Sequence, residues 1–403
     1  MKIGIVTRPN ENQWGGDLKA LYSIKDGLIE NDIDVELGRT ALDLKDCDFI
    51  FLSNTCLDQR ENYNWLKNNN KRYGVIGFHE DFIKYFSKCI GFTNYIKQNV
   101  TNQKNNGFDF SLERLEEMPE IVDYFSVPPI QSTLYNYNVL KDAEVCIANS
   151  VPEAMTMKRD CPDANINVVY WTSGWADEWN DSPDESFLEL TNLKSKNYIL
   201  QVGRLETRKN QLATLLASKD LDIPLVFIAT KGYQGWYEQI FISAAIKHRK
   251  HKTILISENL SSQIVGNLEI IQMPNNEKLP SKTLQSAYFH SRVHCHPAFY
   301  ELPGYTYLEG LKYGIPTVGS KWCSVYDYLD HFENDESVGG LIKYSLPYDL
   351  KSIKNLLVEQ LKKNNELTNI KFFNRTVKDL GKDIINTIKT EENEKNYHSK
   401  IME

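Results

Sequence analysis

Short apolar runs bounded by turn residues alternate along this chain with longer stretches of helical period. Lys2–Thr7, Asp34–Leu37, Phe49–Ser53 and Gly74–Phe78 read as buried strands, and Leu18–Ile29 as an amphipathic helix after the first of them. Strands separated by helical or polar connections predict a parallel sheet covered on both faces. From about Gln98 to Thr133 the pattern dissolves into Asn, Gln and Lys, with a short acidic helix near Leu112–Met118 and the pair Pro128-Pro129. That stretch reads as an irregular excursion from the sheet. Glu144–Ala148 resumes the sheet, Pro152–Arg159 is helical, and Asn167–Trp171 is another strand.

The polar run Asn180–Lys196 then reads as a linker, and a second sheet begins. Its predicted strands are Tyr198–Val202, Leu225–Ala229, Thr253–Ile256, Leu268–Ile271, Arg292–Cys295 and Pro316–Gly319, with helices at Gln211–Ser218, Lys282–Ser291 and Tyr305–Tyr313. Asp349–Lys363 and Leu367–Thr390 are helical. In the latter, Phe373, Val377, Leu380, Ile384 and Ile388 form one apolar stripe that needs a partner, and the charged tail Glu391–Glu403 reads as frayed. The expected class is α/β, with two doubly wound halves at 1–190 and 191–375.

Composition narrows the partners. The chain has 403 residues, 41% hydrophobic and 25% charged, enough for two sizeable cores. A net charge of −8 with no basic run leaves no footprint for nucleic acid, so none is expected as a partner. The seven cysteines are scattered, odd in number and never spaced Cys-x-x-Cys, which reads as reduced thiols. The first residues lack the apolar core of a signal peptide, and no run reaches the ~18 residues of a membrane span. A cytoplasmic location is expected, and the sequons at Asn99, Asn259 and Asn374 then read as chance matches.

The chemistry concentrates in His294–Ser320. A helix starting at Tyr305 would expose the amides of Gly304, Tyr305 and Thr306, a positive end suited to phosphate. Glu301 and Glu309 flank that start and can accept hydrogen bonds from hydroxyls. Arg204 and Lys209 follow the strand Tyr198–Val202, at the edge where cations would neutralise a diphosphate and stabilise it as a leaving group. Gly15-Gly16 after the first strand allows close backbone approach to a ligand, or makes a simple tight turn. His79 follows the fourth strand, at the sheet edge where ligands sit; a histidine satisfied in the core is the alternative. Hydroxyls around a diphosphate describe a sugar nucleotide.

Two metal readings fail on geometry. His294, Cys295 and His296 are consecutive on a strand and point to opposite faces, so they cannot share one ion. Asp46-Cys47-Asp48 precedes its strand, at the wrong sheet edge. Three tryptophans, Trp171, Trp175 and Trp179, fall within nine residues; they suit sugar stacking or, as favoured here, cement between domains.

Taken together, the run from Tyr198 through Gly203-Arg204 to Lys209-Asn210, Tyr300-Glu301-Leu302-Pro303-Gly304 through Glu309, and Tyr313-Gly314 through Ser320 resembles the retaining glycosyltransferases of family 4, in the GT-B class. Looser likeness extends to Gly15-Gly16, His79, Ala148-Asn149-Ser150 and Ser173-Gly174. The resemblance implies two Rossmann-like domains facing across a cleft, an acceptor side at 1–190 completed by a helix at about 376–403, and a nucleotide-sugar donor side at 191–375. It implies that Arg204 and Lys209 bind the donor diphosphate, Glu309 the ribose and Glu301 the sugar hydroxyls. The amides from Gly304 to Thr306 would add to the phosphate site, Gly16 would approach the diphosphate, and His79 would bond the sugar. It further implies transfer with retention to a glycan, lipid-linked or small-molecule acceptor, without metal or other cofactor. A lipid-linked acceptor would bring the enzyme to the inner face of a membrane.

Leu302-Pro303-Gly304 stands where family members usually have Gly-Phe-Gly, which bears on the identity of the sugar. The acceptor is expected near Trp14 and the 98–133 excursion. No carboxylate in the first half declares itself as a nucleophile, which favours front-face transfer over double displacement. Other classes stay open at this point: a sugar-nucleotide epimerase using Glu301, His79 and Asp81 as acid and base, or a binding protein that kept the fold.

Overall fold

The computed structural model describes residues 1–8, 15–101, 135–230, 232, 234–273, 279–332, 340–363 and 374–388. Trp14, nearly all of the 98–133 excursion with its short acidic helix, Phe373 and the tail 391–403 lie outside the described residues. The fold is α/β, with two separate sheets.

The first sheet is six-stranded, in the order β2-β1-β3-β4-β5-β6, and every pair is parallel. Its strands are β1 Lys2–Val6, β2 Asp34–Gly38, β3 Phe49–Ser53, β4 Arg72–Ile76, β5 Cys146–Ala148 and β6 Ile166–Val168. The second has the order β10-β11-β9-β8-β7-β12-β13-β14. It comprises β7 Ile199–Val202, β8 Leu225–Ala229, β9 Thr253–Ser257, β10 Gln263–Val265, β11 Leu268–Gln272, β12 Val293–Cys295, β13 Thr317–Ser320 and β14 Ile342–Ser345. Only the exposed edge strand β10 runs antiparallel, as a hairpin on β11. The central strands β3, β7, β8 and β9 are buried throughout, which is why they read as unbroken apolar runs.

Among the described residues, three helices tie the two halves together. Helix α1 (Gly16–Ile29) meets a helix at 377–388, whose Leu380, Ile384, Ile385 and Ile388 pack with Ile24 and Leu28 in one core. Gly27 and Gly381 face each other there, and a β-carbon on either would collide with the opposite backbone. Helix α11 (Val325–Phe332) reaches back to the first half: Asp327 accepts the Val151 amide at 2.8 Å, and the His331 ring stacks on Tyr170 with centroids 4.2 Å apart.

Helix α3 (Phe82–Thr101) is the third tie. It leaves β4 and crosses onto the second half, where Tyr85, Cys89, Phe92 and Ile96 join the core of Leu212, Leu216, Tyr237, Phe241 and Phe299. The predicted linker also carries structure. Its helix Ser186–Thr191 buries Phe187 in the second half, because a run that is polar on average still holds Phe187, Leu188 and Leu193. The tryptophans are packing groups: Trp171 lies on Phe78, Trp175 on Tyr305, and Trp179 on Tyr288 and Tyr313.

Candidate active site

In an open parallel sheet ligands sit beyond the carboxyl ends of the strands, where the strand order reverses. In the second sheet that point lies between β7 and β12. The loop leaving β7 carries Gly203 to Asn210, and the loop leaving β12 carries His296 to Gly304. Asn210 ties the two, its amide donating to the carbonyls of Pro297 at 2.8 Å and Pro347 at 2.7 Å. The Phe299 amide donates to the Arg208 carbonyl at 2.8 Å, and Gln201 Nε2 to the Lys209 carbonyl at 2.8 Å.

This scaffold sets the Lys209 ammonium against Glu301 Oε1, which also accepts from His296 Nε2 at 3.0 Å. The proton on His296 is therefore on Nε2, leaving Nδ1 toward Gln201 Nε2 at 3.4 Å. Burial pushes the His296 pKa down against the pull of Glu301, so the ring is neutral. Burial also lowers the Lys209 pKa, opposed by Glu301. For Glu301, burial works upward, but Lys209, the His296 hydrogen bond and Arg208 outweigh it and hold the carboxyl well below its ordinary range. Glu301 Oε2 has no hydrogen bond among the described residues, leaving one carboxylate oxygen for a ligand hydroxyl.

Helix α10 (Tyr305–Lys312) begins beside this cluster. Gly304 opens it at φ 87°, a left-handed value that glycine adopts without strain, and no side chain caps it. The Tyr305 and Thr306 amides therefore have no acceptor within the helix, and Thr306 Oγ1 is buried without a partner among the described residues. Glu309 lies one turn on, beside the Tyr288 hydroxyl. Burial raises its carboxyl from the ordinary 4.5 to about 7, against the pull of Tyr288 and Lys209.

A carboxyl raised by folding holds its proton more tightly in the native chain. Its contribution to stability is whole below about 4.5 and is lost as pH climbs through about 7. Glu309→Gln should flatten the fall in melting temperature between roughly pH 5 and 8, a difference of about 3 kcal/mol at most. An unchanged slope would mean that Glu309 titrates in the fold as it does in water.

The other predicted site residues fall around this centre. Arg204 is one-third exposed at 33%, with Nη2 at 3.6 Å from Glu206. His79 is 1% exposed, and both its ring nitrogens are engaged, Nδ1 with Thr55 Oγ1 at 2.7 Å and Nε2 with Asp160 Oδ2 at 2.9 Å. Its ring would have to release one of these to reach a ligand; its carbonyl meets the Tyr300 hydroxyl at 3.4 Å. Gly15 caps α1 and Gly16 opens it, and the Tyr305 ring lies 3.2 Å from where a Gly16 β-carbon would stand.

Arg208 received no role from the sequence. Its guanidinium meets Glu206 of its own loop at 3.4 Å and Glu80 of the first half at 3.3 Å, so the loop carrying Lys209 is pinned to the first half. Tyr85 of α3 stacks on Tyr300 at 5.0 Å and bonds Glu80. The available signal was Arg208-Lys209 itself, adjacent cations in a loop, with nothing to show which of them faced inward.

This is the fold of the GT-B glycosyltransferases. The chain is similar over 100% of its length to sucrose-phosphate synthase from Thermosynechococcus elongatus, covering 99% of that chain at a TM-score of 0.59 and 10% identity. It is similar to Anabaena Alr3699/HepE, solved with UDP and glucose, over 96% of this chain and 99% of that one, at 0.58 and 13%. A UDP-forming α,α-trehalose-phosphate synthase from Burkholderia xenovorans, solved with glucose-6-phosphate, matches 94% of this chain and 79% of its own at 0.56 and 10%. No protein-family model and no curated protein sequence matches the chain.

Proposed function

We propose that this protein is a glycosyltransferase that moves a sugar from a nucleotide-diphosphate sugar to an acceptor hydroxyl, with retention and without metal. The observation that carries the reading is the Lys209–Glu301–His296 cluster beside the uncapped start of α10, at the switch point of the second sheet. Support also comes from structural likeness to synthases and to a protein solved with UDP and glucose.

On this reading the donor diphosphate lies against the first-turn amides of α10, with Lys209 and Arg204 as its cationic partners. Glu301 takes sugar hydroxyls on Oε2, and Glu309 takes the ribose. The bond from the anomeric carbon to the phosphate oxygen breaks while the acceptor oxygen bonds the same face of that carbon. The acceptor proton passes to an oxygen of the departing diphosphate, which balances the step. Lys209, Arg204 and the amides stabilise the charge that develops on the leaving group, the role a metal plays elsewhere.

The test is a thermal-shift screen of the full chain against nucleoside diphosphates and their common sugars, since a ligand at 100 times its Kd stabilises by ~2.7 kcal/mol. One nucleotide series should shift the protein, and transfer with that donor should give the retained anomer. No shift with any nucleotide would remove the donor site, and an inverted product would remove the front-face mechanism.

A further inference from the structure

Helix α10 offers its first-turn amides to a ligand, but no side-chain cap of its own fixes where they point. Its first residue, Tyr305, sends its ring across to the first half, and the residue is 6% exposed. The ring lies in a slot with a glycine on each side. One edge, Cδ1 and Cε1, is 2.8 Å from where a β-carbon on Gly174 would stand. The opposite edge, at Cδ2, is 3.2 Å from where one on Gly16 would stand. Trp175, next to Gly174, meets the ring at 5.9 Å between centroids and 74° between planes.

The two glycines belong to separate elements of the first half: Gly16 opens α1, and Gly174 opens the 3₁₀ turn Gly174–Glu178. Lys19 of α1 bonds Glu178 of that turn, which holds the two walls of the slot together. A β-carbon 2.8 Å from two ring atoms is closer than close packing allows, so a side chain on Gly174 would push the ring out. On Gly16 the crowding is milder and the ring would have to give way slightly. The family likeness gave Gly16 to the diphosphate. In this chain the room left by its missing side chain is taken by an aromatic ring.

We propose that this slot positions the donor: Gly16 and Gly174 clamp the Tyr305 ring, the ring holds the start of α10, and the first domain thereby aims the phosphate-binding amides of the second. Ring and amide belong to one residue, so a displaced ring carries the amide with it. Hydrogen bonds to phosphate weaken steeply once their geometry is lost, and a misplacement of about 1 Å can cost about 10²-fold. Both glycines are then positioning residues that act on the donor through Tyr305. The word donor rests on the transferase reading; the clamp between the two halves does not.

The experiment is a pair of double-mutant cycles in the full chain, Gly174→Ala with Tyr305→Ala and Gly16→Ala with Tyr305→Ala. Each variant is read by calorimetric affinity for UDP, GDP and ADP, and by melting temperature without nucleotide. Tyr305→Ala and Gly174→Ala should each weaken nucleotide binding about tenfold, and Gly16→Ala about threefold. Once Tyr305→Ala has emptied the slot, either glycine change should cost less than about twofold more. Gly174 stands at φ 69°, so its alanine is strained in both backgrounds and that strain cancels in the cycle. The Gly16 cycle decides if Gly174→Ala does not fold. Equal losses with and without the ring would mean that the glycines face the ligand themselves, and would overturn the proposal. Melting temperatures that couple to Tyr305 beside unchanged affinities would reduce the slot to packing and overturn it as well. Nucleotide bound by wild type without any coupling counts against the positioning alone. No nucleotide bound by wild type would sink the transferase reading, and the positioning of a donor with it.

Discussion

Lys209→Ala should lower turnover by about 10²- to 10³-fold, measured as sugar transfer at saturating donor, because it removes a preorganised charge from the leaving group. The same change strips Glu301 of its nearest cation. The carboxyl keeps the His296 hydrogen bond at 3.0 Å but sits buried as one partner of a broken pair, which costs about 3–5 kcal/mol. Activity must therefore be compared well below the variant's melting temperature. Lys209→Arg is no rescue, since a planar fork does not fit where a compact ammonium meets one carboxylate oxygen. Glu301→Gln separates the two effects. It keeps the shape and a hydrogen-bond acceptor while removing the charge, so transfer should fall with a smaller loss of stability. An unchanged rate in Lys209→Ala would remove that residue from the site.

The strands were readable because parallel, doubly covered strands are unbroken apolar runs; Phe49–Ser53 and Leu225–Ala229 match the structure residue for residue. Helix α10 was readable from the Pro303-Gly304 break and the period after it. Edge strands were not: Gln263–Val265 is exposed throughout, and Ile342–Ser345 buries only its two end residues around Lys343 and Tyr344, so neither reads as an unbroken apolar run. What escaped at the site was long-range pairing. Lys209 and Glu301 were each visible as candidates, but their contact spans 92 residues. His79 was visible as a histidine at a strand end, while Thr55 and Asp160, which occupy its ring, lie 24 and 81 residues away. Helix α3 escaped because Phe82–Ile96 is apolar on several faces, and nothing local says which sheet it covers.

The destination of α3 sets the other large expectation. Phe92 is 1% exposed and lies 5.9 Å from Phe299, three residues past the His296 ring that holds Glu301. Its neighbours on the same helix face do similar work: Tyr85 stacks on Tyr300, and Cys89 Sγ meets Thr207 Oγ1 at 3.3 Å in the loop of Lys209. Phe92→Ala should cost about 3–5 kcal/mol in chemical denaturation, the penalty of a large cavity in a close-packed core. Ile83→Ala, on the exposed face of the same helix at 63%, should stay within about 0.5 kcal/mol. A loss below 1 kcal/mol for Phe92→Ala would mean that α3 is not part of the second core. With α3 docked as described, a helix from the first domain forms one wall of the loops carrying Lys209 and Glu301.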